Sequence, residues 1–181
     1  MNKSIVIYQS KYGTTERYAR WIAEELNGAI VPYSKVTLAQ LENYQNIVFG
    51  GAVYIGETSG TDFFKKYAPI LKTKRLFLFT VGISDPAETG NQAVIRQSLK
   101  KQIPSDIYDR LHIYHFSGAL DFETMTFAHR TIMKMIVGTL KRKDVNVRTP
   151  EDNSIIEAYG KSLDLTNRAD IYPLIEAVRA V

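Results

Sequence analysis

The stretch IVIYQSKYGTTERYARWIAEEL, residues 5–26, joins an apolar run to an amphipathic helix through a short polar turn. The run Ile-Val-Ile-Tyr is typical of a buried strand, and the spacing of apolar residues predicts a helix that begins near Thr15. The turn between them carries Ser10, Thr14 and Thr15 around Gly13. A turn that only reversed the chain would not need three hydroxyl groups beside a glycine. The pattern therefore predicts that something binds at this turn.

The same alternation of strand and helix continues along the chain. Strands are predicted over residues 4–8, 29–33, 46–50, 75–81 and 111–117, and helices near residues 15–27, 61–71, 91–101, 149–163 and 171–181. Near-continuous apolar strands separated by helices are typical of a parallel sheet covered on both faces. Right-handed crossovers then give a doubly wound three-layer α/β sandwich. Since no repeat or linker divides the chain, one domain over residues 1–181 is predicted.

Composition and charge limit the class of function. Hydrophobic residues make up 45% and charged residues 23% of the chain, which is ordinary for a soluble globular protein. No apolar run approaches the roughly 18–20 residues of a membrane span, and the first residues lack a signal-peptide pattern, so a cytoplasmic location is expected. The absence of cysteine excludes disulfides, thiol nucleophiles and thiolate metal sites. A net charge of +4 favours anionic partners, but no basic–aromatic motif indicates nucleic acid.

The turn after the first strand has the features of an anion site. In doubly wound sheets ligands bind outside the carboxyl ends of the strands. Unpaired N–H groups and the dipole at a helix start attract an anion, and Gly13 lets the backbone approach closely. Neither the Gly-Lys-Ser/Thr of nucleotide hydrolases nor the three glycines of dinucleotide-binding folds is present. The alternative is a plain N-cap made by Ser or Thr.

Two further glycine-containing loops are predicted at the same edge of the sheet. The segment GGAVYIGET, residues 50–58, follows the third strand and carries Tyr54. The segment VGISDP, residues 81–86, follows the fourth strand. Together with the first turn, these loops would offer a phosphate cradle and two walls for a flat ring.

The three motifs resemble those of the flavodoxin family, and SKYGTTE is similar to that family's hydroxyl-rich phosphate loop. The resemblance implies a flavodoxin-like fold with five parallel strands in the order 2-1-3-4-5 and one FMN bound without covalent attachment. The implied cofactor-binding residues are Ser10, Lys11, Tyr12, Gly13, Thr14 and Thr15 around the phosphate, Ala52, Val53, Tyr54, Ile55 and Gly56 on one wall, and Val81, Gly82, Ile83 and Ser84 on the other.

A second block of sequence resembles one branch of that family, the menaquinone-dependent protoporphyrinogen oxidases. It consists of Gly-Ala-Leu at residues 118–120 and Thr-Ile-Met-Lys-Met-Ile at residues 131–136. The likeness implies an enzyme of haem biosynthesis that oxidises a reduced organic substrate near residues 118–122 and passes the electrons to a quinone. Since FMN would carry the redox chemistry, no catalytic acid or base and no metal is expected. An electron carrier without its own substrate and a flavin-free binding module remain as alternatives.

Two features depart from the common flavodoxin pattern. No aromatic residue occurs from Val81 to Thr89, so Tyr54 either stacks on the flavin or packs under its own loop. The chain is basic, whereas electron-carrier flavodoxins are typically acidic. A basic surround would stabilise an anionic reduced flavin, which favours transfer of electrons to a quinone or similar acceptor.

The segment that begins at Phe122 and ends at Lys143 allows two interpretations. Met133, Ile136, Val137 and Leu140 fall on one helical face, with basic residues around it. It is either a core-facing helix with a solvated rim, or a basic amphipathic surface that touches an anionic membrane or guards the flavin edge. The three histidines, His112, His115 and His129, lack the spacing of metal ligands and are expected to be packed or solvated. The oligomeric state is left open.

Overall fold

The computed structural model describes residues 3–54, 56–83, 89–157 and 159–180. The strands are β1 (Ser4–Gln9), β2 (Ala29–Pro32), β3 (Asn46–Tyr54), β4 (Glu57–Thr58), β5 (Arg75–Gly82), β6 (Leu111–Ser117), β7 (Ala119–Asp121) and β8 (Ser162–Asp164). The α-helices are α1 (Thr14–Leu26), α2 (Leu38–Glu42), α3 (Asp62–Lys66), α4 (Ala68–Leu71), α5 (Thr89–Gln102), α6 (Ser105–Tyr108), α7 (Phe127–Arg142), α8 (Pro150–Glu157) and α9 (Tyr172–Arg179). Short 3₁₀ helices cover Tyr33–Lys35, Val145–Val147 and Arg168–Ile171.

The central sheet consists of parallel strands in the order β2-β1-β3-β5-β6. The two-residue strand β4 pairs antiparallel with β3 and lies off this path. The predicted order 2-1-3-4-5 of the five main strands and the predicted fold class are therefore confirmed. Gly51 of β3 lies beside Gln9 of β1 and Thr80 of β5, so the carboxyl ends of these three strands meet at one edge. The division into a single domain stays a prediction.

Helices cover both faces of the sheet, because side chains alternate between two apolar layers. Val6, Phe77 and Phe79 pack with α1 and α9 on one face. Ile7 and Leu78, which are next to them in sequence, pack on the other face with side chains of α2 to α6. This alternation follows from the two-residue period of a strand. It gives the three layers that the apolar strands predicted.

Two predicted helices differ in extent from those observed. The helix predicted over residues 61–71 is divided into α3 and α4, because Pro69 has no N–H for the helical ladder and its ring would crowd the preceding turn. The helix predicted over residues 149–163 ends at Glu157. Gly160 then adopts φ +85°, and the chain enters β8, which pairs antiparallel with β7. A glycine in this left-handed conformation is a common way to end a helix.

Helix α7 packs on a small apolar cluster of its own. Met133 and Val137 are buried together with Phe122, Met125 and Ile155, and Ile136 and Leu140 pack against the same cluster. The prediction that this side of the helix faces a core is confirmed. The carboxyl end of β6 is tied to α1, because the Tyr18 hydroxyl donates to the Ser117 carbonyl oxygen at 2.9 Å.

Candidate functional site

A cavity of about 280 Å³ lies at the carboxyl edge of the sheet, between the start of α5 and the inner side of α7. Most of the predicted binding residues line it: Ser10, Tyr12, Thr14, Thr15, Ala52, Val53, Tyr54, Gly56, Val81, Gly82 and Ile83. Lys11 and Gly13 lie in the first loop but not in the cavity wall. Ile55 and Ser84 lie outside the described residues. The three predicted loops thus border one space.

The loop before α1 leaves the start of this helix without a side-chain cap. Gly13 is the N-cap residue, with φ +88°, and no side chain of the described residues caps this helix. The Ser10 hydroxyl instead accepts a hydrogen bond from the Gly13 N–H at 3.1 Å. The first backbone bond of the helix runs from the Arg17 N–H to the Gly13 carbonyl oxygen at 2.9 Å. The alternative, a helix start capped by a Ser or Thr side chain, is therefore not observed. The N–H groups of the first turn can instead donate hydrogen bonds to an anion.

The threonines that follow Gly13 differ in burial. Thr14 is half-buried, whereas Thr15 has only 1% of its surface exposed, although both border the cavity. Lys11 lies in the same loop, and its Nζ is 5.7 Å from the centroid of the Tyr12 ring. The loop therefore combines hydroxyl groups, backbone donors and one cation at the start of a helix.

The glycines after the third strand do not form the predicted loop. Gly50 and Gly51 lie inside β3, where they provide room for close packing. A Cβ on Gly50 would lie 2.1 Å from Cζ of Phe79, and a Cβ on Gly51 would lie 2.6 Å from the Ser59 carbonyl oxygen. The turn comes later, because β3 runs on to Tyr54 and returns through Gly56, φ +76°, into β4. The cavity wall is thus a β-hairpin rather than an irregular loop.

An aromatic pair joins this hairpin to α7. The Tyr54 ring stacks on the His129 ring, with centroids 4.9 Å apart and planes inclined by 21°. Both rings border the cavity. Burial, followed by the charge of Tyr12, raises the pKa of Tyr54 to about 12, so its phenol stays protonated at neutral pH. Tyr54 therefore contacts the His129 ring at the border of the cavity.

Tyr12 connects the first loop to the start of α7. Its hydroxyl and Nδ1 of His129 are 2.6 Å apart in a hydrogen bond, and its oxygen accepts a bond from the Thr126 N–H at 3.3 Å. Burial and the charge of Lys11 lower the pKa of His129. The first loop and α7 are therefore positioned together at the mouth of the cavity.

His115 supplies a polar atom without a partner beside the cavity. Its Nδ1 is hydrogen-bonded to Oγ1 of Thr80 at 2.7 Å. Its Nε2 is buried and makes no hydrogen bond in the part of the chain that the structure describes. Burial, followed by the charge of Arg96, lowers the pKa of His115 to about 4, so the ring is neutral at pH 7. A buried nitrogen of this kind costs free energy unless a ligand satisfies it.

The family of the chain follows from a match over most of its length. A family model described as a flavodoxin domain matches residues 5–146, which include β1 to β7 and α1 to α7. The chain belongs to the flavodoxin domain family.

This flavodoxin domain also resembles individual proteins. An uncharacterized protein of Methanocaldococcus jannaschii is 38% identical over 80 residues, which cover 43% of this chain and 53% of that protein. The chain thus matches about half the length of this curated relative. A two-electron reduced flavodoxin of Megasphaera elsdenii is 18% identical over 64% of this chain and 83% of its own, with a TM-score of 0.45. A flavoprotein of Lactobacillus acidophilus in complex with FMN is 17% identical over 65% and 93%, with a TM-score of 0.42. Because these identities and TM-scores are low, the solved structures do not add to the evidence of the family match.

Several residues that border the cavity were not predicted from the sequence. They are Thr80, His115, Phe116 and His129, together with the start of α5. Met125, Ile132, Met133 and Ile136 also border it and belong to the segment 122–143, for which a place at the flavin edge was one of the predicted alternatives. Of the segment 118–122, Gly118, Ala119 and Leu120 border the cavity, whereas Phe122 packs in the α7 cluster. His115 and His129 are packed against neighbouring side chains, as predicted, but the sequence did not predict that both border the cavity. No residue spacing in the sequence indicates this position at the cavity, since Tyr12 and His129, which are hydrogen-bonded to each other, are 117 positions apart.

The described residues contain neither a metal-binding group nor a membrane-spanning helix. Among them, no three His, Asp or Glu side chains come together in a group that could hold a metal ion. None of their helices is both long and apolar enough to cross a bilayer.

Proposed function

We propose that this flavodoxin domain binds one FMN without covalent attachment and acts as an oxidoreductase. The observation that carries the proposal is a single cavity with an anion-binding helix start at one end and ring-sized walls at the other. The N–H groups of the first turn of α1 and the hydroxyls of Ser10 and Thr14 fit a phosphate monoester. Gly13 leaves this approach open, because a Cβ there would meet nothing within 4 Å.

The remaining walls fit a flat heteroaromatic ring. Val53 and Tyr54 of the hairpin and Gly82 and Ile83 after β5 border the same space. The buried Nε2 of His115 offers a polar contact in otherwise apolar surroundings. A pocket that is mostly apolar with a few placed polar groups is the usual design of a cofactor site.

When bound, FMN supplies the redox chemistry, and the chain binds and positions it. Tyr54 keeps its proton at neutral pH because its pKa is raised to about 12, and His115 stays neutral because its pKa is lowered to about 4. We therefore assign no acid or base role to either residue. Their contribution is to form the wall and to exclude water.

The finer proposal is an enzyme of the protoporphyrinogen oxidase type that passes electrons from a reduced organic substrate to a quinone. In support, the block at residues 131–136 lies on α7, and Ile132, Met133 and Ile136 border the cavity. An apolar substrate or quinone would meet apolar side chains there. A role in haem biosynthesis and a cytoplasmic location stay predictions of the sequence.

Anaerobic stopped-flow spectroscopy tests this proposal on the FMN-loaded protein. We expect protoporphyrinogen to bleach the flavin absorbance and a short-chain menaquinone to restore it. Bleaching by dithionite but not by protoporphyrinogen would contradict the substrate. Restoration by a protein acceptor but not by menaquinone would favour the electron-carrier alternative. An Ile132→Asp variant, which places a charge in the apolar part of the cavity, should slow the quinone step while FMN stays bound.

A further inference from the structure

The outer face of α7 combines cations with exposed apolar side chains. The helix contains Arg130, Lys134, Lys141 and Arg142 and no carboxylate. Phe127, 87% exposed, and Met135, 70% exposed, are the two most exposed large apolar side chains among the described residues. Val145 and Val147, just beyond the helix, are 68% and 61% exposed.

These charges are not neutralised by neighbours. None of the four cations of α7 forms an ion pair among the described residues. Arg130 only donates to the Glu123 carbonyl oxygen, at 2.9 Å. By contrast, Lys143 follows the helix and pairs with Asp152 at 2.7 Å. Helix α7 therefore presents four positive charges that no carboxylate of the described residues pairs with.

The exposed cations and the residues that border the cavity lie on different sides of the helix. Phe127, Lys134 and Lys141 recur every seven residues, which places them on one stripe. Ile132 and Ile136 lie on the opposite side and border the cavity, whereas Met133 and Val137 lie beside the stripe and are buried in the α7 cluster. The packing of the α7 cluster thus fixes which side of the helix faces outward. The helix has 16 residues and is about 24 Å long.

We propose that the outer face of α7 docks on the surface of an anionic lipid bilayer. Each Lys or Arg close to such a surface strengthens binding about fivefold, so four together give a sizeable but salt-sensitive affinity. Phe127 and Met135 add apolar contact at the level of the headgroups. The exposed apolar side chains are interspersed with cations along a convex helix. This arrangement suits a lipid surface better than an acidic protein that needs a shaped groove.

Docking in this way would place the cavity close to the lipid. Ile132, Met133 and Ile136 border the cavity from the inner side of the same helix, about one helix diameter, roughly 10 Å, from its outer face. The inference does not depend on FMN, because it rests on the outer residues alone.

Flotation with lipid vesicles tests the proposal on the full chain. The vesicles contain either phosphatidylcholine alone or phosphatidylcholine with 30% phosphatidylglycerol, at low and physiological salt. The test variant is the double substitution Lys134→Glu and Met135→Ser. Its matched control is Lys35→Glu and Leu38→Ser, since Lys35 is exposed and Leu38 is 52% exposed beside β2. Each double substitution lowers the net charge by two, from +4 to +2.

We expect the unaltered protein to float with the anionic vesicles only, and less so as salt is raised. The Lys134→Glu, Met135→Ser variant should bind at least tenfold more weakly, and the control variant should bind as the unaltered protein does. Arg130→Gln with Lys141→Gln gives a second variant without charge reversal, in case the first does not fold. Failure of the unaltered protein to float at low salt, or equal losses in test and control variants, would overturn the proposal. So would capture by polyglutamate without flotation, which would indicate an acidic protein partner.

Discussion

The two ends of the cavity are built in different ways. At the loop before α1, the binding groups come from neighbouring residues, and the Ser10 hydroxyl bonds to the Gly13 N–H three positions away. At α7, Tyr12 and His129 meet across 117 positions, and Tyr54 stacks on His129 from a separate hairpin. The short motif at residues 10–15 therefore contains the binding groups of the first end. The contacts of the second end form only when distant parts of the chain fold together. Substitutions at each end should separate binding of the phosphate from positioning of α7.

The largest effect should come from a negative charge at the loop before α1. Thr14→Glu should weaken FMN binding by about 100-fold or more, because a carboxylate would repel the phosphate at short range. Thr73→Glu is the matched control, since Thr73 is exposed and precedes β5 at the other edge of the sheet. Isothermal titration with FMN and with riboflavin measures both variants. Equal losses for FMN and riboflavin in Thr14→Glu would mean that the phosphate does not bind there.

The strand β3, which leads into the cavity wall, should not tolerate added volume at Gly50. Gly50→Ala should lower the free energy of unfolding by about 3 kcal/mol, because the new Cβ would lie 2.1 Å from Cζ of the buried Phe79 ring. Gly138→Ala is a control of the same chemistry in α7, where a Cβ would meet nothing within 4 Å. It should stabilise the protein by about 0.5–1 kcal/mol, because alanine favours a helix interior. Urea denaturation of both variants measures the difference. A neutral Gly50→Ala substitution would contradict the packing at the wall.

Loss of the link between the first loop and α7 should have a smaller effect. Tyr12→Phe removes the hydroxyl that bonds to His129 and Thr126, which should cost about 1 kcal/mol of stability. It should also speed hydrogen exchange in the first turns of α7. Tyr172→Phe is the control, since Tyr172 is 45% exposed and its hydroxyl has no partner among the described residues. Identical exchange in the two variants would show that Tyr12 does not hold α7.

The buried histidine should give a modest dependence of stability on pH. The pKa of His115 is about 4 in the folded protein and near 6.5 in the unfolded chain. Between these values the unfolded chain binds the proton more readily, so stability is complete above pH 6.5 and declines as the pH falls toward 4. His115→Gln removes this titration, and its loss of stability between pH 7 and 4 should be smaller than that of the unaltered protein. Thermal melts across this range check the expectation, with His112→Gln as the control from the same strand. Parallel curves for the unaltered protein and His115→Gln would contradict it.

The sequence predicted those parts of the molecule that depend on neighbouring residues. Near-continuous apolar strands separated by helices predicted the parallel sheet, the resemblance to flavodoxins implied its order, and the turn at residues 10–15 predicted the helix start at the cavity. Gly50 and Gly51 were misinterpreted as a loop, because a glycine that makes room for Phe79 looks the same in sequence as one in a turn. His115 and His129 were missed as cavity residues because distant contacts determine their surroundings. The predicted end of the helix at residue 163 was wrong, because pairing of β8 with β7 outweighs local helical preference.

The most direct measurement is the visible absorption spectrum of the purified protein after addition of FMN and desalting. We expect flavin bands to stay with the protein at one FMN per chain, and to be lost on desalting in the Thr14→Glu variant but not in Thr73→Glu. A colourless protein after desalting, with no detectable affinity for FMN in titration, would contradict the proposed cofactor. The start of α1 would then be only an uncapped helix end, and a flavin-free binding module would be the better description.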